Sequence, residues 1–165
     1  MRRFAAALAL CAATGPAAAA AGGFEDSMAQ RVLACTGCHG QQGRATREGY
    51  VPRLAGKPAA YLLNQLHHFR DGRRDYRLMT GLLEPLSDDF LAEIAAHFAG
   101  LDLPYPPPAP VTASPAMLAR GRELALRGDP ARRLPACSAC HGQALSGTLP
   151  AVPGLLGLPR DYLNA

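Results

Sequence analysis

Apolar residues in two stretches of the chain recur every three or four positions, which is the spacing of an amphipathic helix. The first stretch begins at Pro58 and ends at Gly72, with apolar positions at Tyr61, Leu62, Leu66 and Phe69. The second is capped by Ser87 and ends at Gly100, with apolar positions at Phe90, Leu91, Ile94, Ala95 and Phe98. Capping residues also predict a helix from Asp26 through the cysteine motif at residues 35–39, and another from Ser114 through Leu126. The fold class is therefore predicted to be all-α.

The N-terminal 21 residues have a different pattern. Arg2 and Arg3 precede an apolar run from Phe4 to Ala13, and an alanine tract ends at Ala21. This order predicts a secretory signal peptide at residues 1–21, which is a better explanation than a disordered arm. The apolar run is too short for a bilayer, which takes about 20 residues. Such a signal would direct export of the chain, and its cleavage near Ala21 would remove Cys11 with it.

Removal of the signal peptide would change the net charge of the chain only slightly. The 17 basic residues of the chain fall to 15 once Arg2 and Arg3 are cleaved, against 13 acidic residues. A nearly neutral mature chain gives no electrostatic reason to predict nucleic-acid binding.

The four remaining cysteines form two C-x-x-C-H patterns, Cys35-Thr36-Gly37-Cys38-His39 and Cys137-Ser138-Ala139-Cys140-His141. This spacing is the attachment motif of c-type haem. The thiols join the haem vinyl groups as thioethers, and the histidine is the proximal iron ligand. We therefore predict two covalently attached haem c groups, with His39 and His141 on their irons.

Three other uses of these cysteines are weaker. Two disulfides would suit an exported protein but leave both histidines unexplained. A zinc site would have to combine two clusters that lie about a hundred residues apart. A thioredoxin-like pair needs a βαβ pattern, which neither motif has around it.

The two motifs belong to a repeat with an offset of 102 residues, from position 35 to position 137. Residues 51–58 recur as 152–159, and residues 61–64 recur as 162–164. Such self-similarity implies duplicated structural units, each built around one haem. We predict two tandem cytochrome c-type domains, at 22–101 (the first module) and 114–165 (the second module). By alignment the second module stops near the equivalent of residue 64, so about 36 residues of the unit are absent and it is predicted to be incomplete.

A proline-rich linker is predicted between them at residues 102–113. Five prolines fall within residues 104–110. Such a run favours an extended polyproline II conformation and acts as a semi-rigid spacer between domains.

Met79 is the predicted sixth ligand of the first haem iron, because methionine sulfur is the usual partner of histidine in c-type cytochromes. It is expected in a loop between the second and third helices, about forty residues after His39. Met28 and Met117 each precede a haem motif on a predicted helix, so core packing is expected of both.

Bis-histidine ligation by His67, His68 or His97 is less favoured. His67 and His68 are adjacent on one helix and point in different directions, so a surface or hydrogen-bonding role is expected. No methionine follows His141. The sixth ligand of the second haem is therefore unassigned. Either that iron is five-coordinate, it takes a ligand from elsewhere, the haem is poorly held, or the sequence is a fragment.

The chain resembles the two-domain dihaem class I cytochromes c of the cytochrome c4 family. The resemblance covers the first module and the available half of the second. It rests on the haem motifs with their following glycines and on the stretches Pro52-x-Leu54-x-Gly56, Tyr61-Leu62-x-x-Gln65-Leu66, Phe69-Arg70-x-Gly72-x-Arg74, Met79-Thr80-Gly81, Leu86-Ser87-Asp88 and Ile94-Ala95-Ala96.

The resemblance implies that Met79 is the distal ligand and that the Pro52 carbonyl accepts a hydrogen bond from His39. It implies the same pairing for Pro153 and His141. Such a bond orients the imidazole and raises its basicity as a ligand. It also implies a periplasmic carrier that shuttles electrons between respiratory partners, with a membrane-bound terminal oxidase as one acceptor.

An electron carrier that docks transiently on redox-partner proteins is thus the predicted function. No small-molecule substrate is identified. The alternative is the haem subunit of an oxidoreductase complex, such as a sulfide-oxidising flavocytochrome c. A catalytic dihaem enzyme of peroxidase type would need acid–base residues over an open iron, and the first module shows no such set.

Overall fold

The computed structural model describes residues 25–45, 49–107 and 110–164. The predicted signal peptide, Cys11 and Ala165 lie outside these ranges. The described helices are α1 (Met28–Arg31), α2 (Leu33–His39), α3 (Ala59–Arg70), α4 (Arg77–Leu83), α5 (Asp88–Ala99), α6 (Pro115–Arg127), α7 (Cys137–His141) and α8 (Arg160–Asn164). Two 3₁₀ turns lie at Gln41–Gly43 and Pro130–Arg132, and two short strands are β1 (Gly147–Thr148) and β2 (Val152–Pro153). The prediction of a helical fold is confirmed.

The two amphipathic helices are confirmed as α3 and α5. Ser87 caps α5 with its hydroxyl, which accepts a hydrogen bond from the Phe90 amide, and Asp88 and Asp89 stand in the first turn. These groups satisfy free amides and complement the positive end of the helix dipole. Helix α5 buries the apolar face that its periodicity predicts.

The predicted continuous helix from Asp26 to the first haem motif is wrong in one respect. It breaks at Val32, whose backbone leaves helical geometry between α1 and α2. Val32 is buried in the core, so the break falls where this segment packs against the first module. Met28 packs partly buried against the same core, as predicted.

Helix α6 begins as its sequence predicts. The Ser114 hydroxyl accepts a hydrogen bond from the Met117 amide, and Pro115 occupies the first turn. The expectation that Met117 packs in a core is wrong, since its side chain is 66% exposed. Met117 instead lines a shallow cavity with Val111 and Arg160, and no buried apolar cluster lies beneath it among the described residues.

The described residues form one hydrophobic core cluster, and its members lie in the first module. Helices α3 and α5 pack together in it, with α4 against α3 and α1 against α5. Its buried members are Val32, Leu62, Phe69, Leu83, Leu91, Ile94, Ala95 and Phe98. In the described part of the second module, large apolar side chains such as Leu118, Leu149 and Leu163 are exposed. Side chains alone therefore give that module little buried apolar area.

The strand pair of the second module was not predicted. Strands β1 and β2 are antiparallel, with Gly147 opposite Pro153 and Thr148 opposite Val152. Gly147 has φ +100°, and a Cβ there would lie 2.7 Å from the Gly154 nitrogen. Only glycine fits this close approach of two backbones. Two-residue strands carry no periodicity that a sequence pattern could show.

No helix among the described residues has both the length and the apolar character needed to cross a membrane.

We expect Leu91→Ala to destabilise the first module, because Leu91 is 0% exposed. Removing a buried leucine side chain costs about 2–5 kcal/mol, from lost burial and the cavity left behind. Leu118→Ala is the matched control: that side chain is half exposed, so its loss should cost under about 1 kcal/mol. Urea unfolding of the haem-loaded protein measures both. Equal destabilisation by the two variants would contradict this assignment of the core.

Candidate haem sites

The four thiols of the two motifs lie on two short helices. Helix α2 carries Cys35 and Cys38, and α7 carries Cys137 and Cys140. Residues three apart on a helix share a face, so each pair can reach one planar group. All four thiols are free, and no disulfide joins them. Burial raises the pKa of the half-buried Cys35 thiol, whereas the other three cysteines are exposed.

The zinc alternative finds no support in the described part of the chain. There, no three or more histidine, cysteine, aspartate or glutamate side chains come together as a metal site. The disulfide alternative likewise finds no support among the described residues, where the four thiols are free.

Each motif histidine is held by a proline carbonyl. The Nδ1 of His39 donates to the Pro52 oxygen at 2.8 Å, and that of His141 donates to the Pro153 oxygen at 2.6 Å. A carbonyl oxygen only accepts, so the proton must sit on Nδ1. The Nε2 lone pair of each ring is therefore available to a metal ion.

The surroundings of His39 favour its neutral form. The ring is 7% exposed. Burial lowers the pKa of His39, and the bond to Pro52 raises it by a smaller amount. A neutral imidazole is the form that binds iron.

A glycine turns the chain immediately after each histidine. Gly40 has φ +76° and Gly142 has φ +80°. A Cβ on Gly40 would lie 2.8 Å from the Ala45 oxygen, and one on Gly142 would lie 3.2 Å from the Gly147 oxygen. Glycine thus allows the chain to leave the helix and return towards the proline that accepts the histidine bond.

Met79 lies in helix α4, so the prediction of a loop is wrong. The Thr80 hydroxyl donates to the Phe69 oxygen at 3.0 Å and ties this helix to the end of α3. A seven-residue helix that contains Gly81 is too short for a recognisable apolar period. Met79 is partly buried and packs against the core that Cys35 also contacts. The structure therefore brings these two predicted haem-binding residues to the same cluster.

The histidines of α3 and α5 have surroundings of their own. His67 Nε2 lies 3.7 Å from the Asp88 carboxylate. The ring of His97 packs edge-on against Phe98, with 5.2 Å between ring centroids. His67 thus lies near a carboxylate, but its Nε2 is buried without a hydrogen-bond partner among the described residues, so its surroundings only partly fit the surface or hydrogen-bonding role expected of it.

The second motif is held by polar contacts where the first is held by the core. The Ser138 hydroxyl donates to the Leu126 oxygen at 3.2 Å and so ties α7 to α6. The Thr148 hydroxyl donates to the Cys140 oxygen at 3.0 Å and ties β1 to the end of α7.

Sequence reasoning missed the residues that join the two modules. Arg74 donates to the Gln65 side-chain oxygen at 2.8 Å and to the Tyr162 hydroxyl at 3.1 Å. Burial, followed by the neighbouring Tyr162, raises the pKa of Tyr61 to about 12. Tyr61 and Tyr162 are equivalent positions of the repeat. That equivalence is the signal that could have placed them at a shared boundary.

The donor set suits c-type haem. Each motif offers two free thiols on one helix face and one histidine whose Nε2 is free, while its Nδ1 is engaged. These groups are the ones that covalent attachment of haem and its proximal ligation require, and the chain has such a set at two places.

Several known proteins are similar to this chain. No protein-family model matches the chain. The chain is 39% identical over 131 residues to the thiosulfate dehydrogenase electron acceptor of Thiomonas intermedia (strain K12), covering 79% of this chain and 59% of that protein. It therefore spans about three-fifths of the length of that relative.

Two further matches are named cytochrome c4. The protein of Azotobacter vinelandii is 32% identical over 164 residues, covering 93% of this chain and 71% of that protein. The crystal structure of reduced recombinant cytochrome c4 from Pseudomonas stutzeri matches with a TM-score of 0.69 at 33% identity, covering 81% of this chain and 73% of that one. With both haem motifs, the helical fold and this extent of similarity in hand, the chain belongs to the cytochrome c4 family.

Proposed function

We propose that the protein is an electron carrier of the bacterial periplasm with two covalently attached c-type haems. The observation that carries this proposal is the repeated geometry of the two motifs. Each has paired free thiols on one helix and a histidine oriented by a proline carbonyl. Residues 1–21 would be the export signal, 22–101 and 114–165 the two haem domains, and 102–113 the linker.

The chain's own residues bind and orient the cofactor in this proposal. Cys35 and Cys38 hold the first haem, and Cys137 and Cys140 hold the second. Pro52 and Pro153 fix the rings of His39 and His141. The bound haem iron supplies a one-electron couple.

Met79 is the proposed sixth ligand of the first iron. Its place on α4 ties it to α3 through Thr80, so the sulfur is carried by a short helix rather than by a free loop. A fixed ligand lets the iron change oxidation state with little rearrangement. For the second iron no sixth ligand is assigned.

The partners of such a carrier are redox proteins that dock transiently. The relatives named above are cytochromes and an electron acceptor, so a carrier is preferred to the flavocytochrome subunit. We propose a dehydrogenase of the thiosulfate-oxidising kind as a candidate donor, because the Thiomonas relative is named for that reaction. A membrane-bound oxidase is a candidate acceptor.

Intact mass tests the number of haems. Each attached haem should add about 616 Da to a chain that begins near Gly22. The paired variants Cys35→Ala/Cys38→Ala and Cys137→Ala/Cys140→Ala should each lose one increment and keep the other. A single increment in the unaltered protein would contradict the proposal of two haems.

Met79→Ala should remove the charge-transfer band at about 695 nm, because that band reports sulfur bound to ferric haem. Met117→Ala is the matched control, since Met117 is exposed and is not proposed as an iron ligand. Visible spectra of the oxidised proteins measure the effect. An unchanged band in Met79→Ala would show that another group binds the first iron.

Reduction by a purified thiosulfate dehydrogenase tests the candidate donor. The oxidised protein mixed with that enzyme should become reduced on addition of thiosulfate, and thiosulfate alone should leave it oxidised. If dithionite reduces the haems but the enzyme with thiosulfate does not, the carrier has another donor.

A further inference from the structure

Two buried cations stand at the boundary between the modules. Lys57 is 3% exposed and Arg53 is 2% exposed. Neither forms an ion pair with a carboxylate of the described residues, although buried cations are usually paired with anions. Both cations instead donate to backbone carbonyl oxygens, so their charges are not neutralised by a neighbouring carboxylate.

Arg53 belongs to the loop that carries Pro52, which we call the first proximal loop; the equivalent loop with Pro153 is the second proximal loop. It follows Pro52 directly, and its donors go to the Ala55, Leu103 and Pro104 oxygens at 3.0, 2.6 and 3.3 Å. Its guanidinium also lies 4.8 Å from the centre of the Tyr105 ring. The side chain therefore holds the start of the linker against the first module and leaves a positive charge beside the first proximal proline.

The second proximal loop lacks that arginine. In the repeat, Arg53 aligns with Gly154, and Lys57 aligns with Leu158. No side chain fits at position 154, because a Cβ there would lie 2.4 Å from the Ser146 oxygen. The carbonyl oxygen of Gly154 instead accepts a hydrogen bond from the Lys57 ammonium, which reaches it from the first module.

We propose that Lys57 supplies across the module boundary the positive charge that Arg53 supplies within the first module, and that this charge raises the reduction potential of the second haem. The inference rests on the proposed function. Gly154 follows Pro153, whose oxygen holds His141. Lys57 is thus a positioning residue that acts on the second site from outside its own module.

The physical reason is electrostatic. Reduction of ferric to ferrous haem adds one negative charge, which a nearby cation favours. Buried charges are screened far less by water and salt than exposed ones. The second module has the uncharged Leu158 at the position equivalent to Lys57, so it places no corresponding charge beside the first haem site.

The ammonium is charged at neutral pH. Burial, and to a smaller extent the charge of Arg53, lowers the pKa of Lys57 to about 8. Most of the side chain is therefore protonated at pH 7, and it can act as a cation there.

Two neutral variants of the haem-loaded protein test the inference. Lys57→Gln can still donate to the Gly154 oxygen, whereas Lys57→Met cannot, and Lys57→Arg keeps the charge. Both haem potentials are measured by spectroelectrochemical titration at pH 7. They are assigned by comparison with the Cys137→Ala/Cys140→Ala protein, which should retain only the first haem.

Both neutral variants should lower the equilibrium constant for reduction of the second haem by about tenfold, which is 59 mV for one electron. The first haem should move by less than a third of that, and Lys57→Arg should stay near the unaltered protein. Arg74→Met is the matched control, since it removes another boundary cation that contacts Tyr162 and not Gly154. Arg74→Met should leave the reduction potential of the second haem unchanged.

Unchanged potentials in Lys57→Gln and Lys57→Met would overturn the inference, as would equal shifts of both haems or an equal fall in Lys57→Arg. Failure of the proposed function has a different signature. In that case the unaltered protein itself would show no second haem that titrates reversibly.

Discussion

The hydrogen bond from a histidine Nδ1 to a proline carbonyl is the interaction on which both candidate haem sites depend. It joins positions 13 residues apart in the first module and 12 apart in the second. Because the proline oxygen only accepts, the bond settles the tautomer and directs Nε2 away from the backbone. The glycine after each histidine lets the chain turn back within that short span. The loops that carry Pro52 and Pro153 are also where the charges of Arg53 and Lys57 lie beside the two histidine bonds.

The two modules support the same bond by different means. In the first module α3, α4 and α5 enclose an apolar core, against which Cys35 and Met79 both pack. In the described part of the second module, hydroxyl groups of Ser138 and Thr148 tie the motif helix to its neighbours. The Lys57 ammonium and the Arg74 guanidinium add contacts from the first module. The loop after Pro153 is therefore contacted by Lys57, which precedes it by 97 positions, whereas Arg74 contacts the end of the second module at Tyr162.

Much of this architecture could be predicted from the sequence. Helices α3, α5 and α6 have apolar periods or capping residues. The C-x-x-C-H motifs predict haem attachment directly from their spacing. Short elements could not be predicted in the same way. The break at Val32, the helix around Met79 and the two-residue strands depend on packing and backbone contacts rather than on a period. Lys57 and Arg53 at the module boundary were missed because cations are mostly exposed, so the sequence alone gives no sign that these two are buried. Alignment of the two repeats shows the difference, because Leu158 and Gly154 stand in the second module where the first has Lys57 and Arg53.

Two redox-active haems on one chain can be counted by a coulometric titration of the purified, haem-loaded protein, followed by its visible absorption. We expect reversible uptake of two electrons per chain, in two one-electron steps. Uptake of a single electron per chain, or irreversible reduction of the second haem, would contradict it.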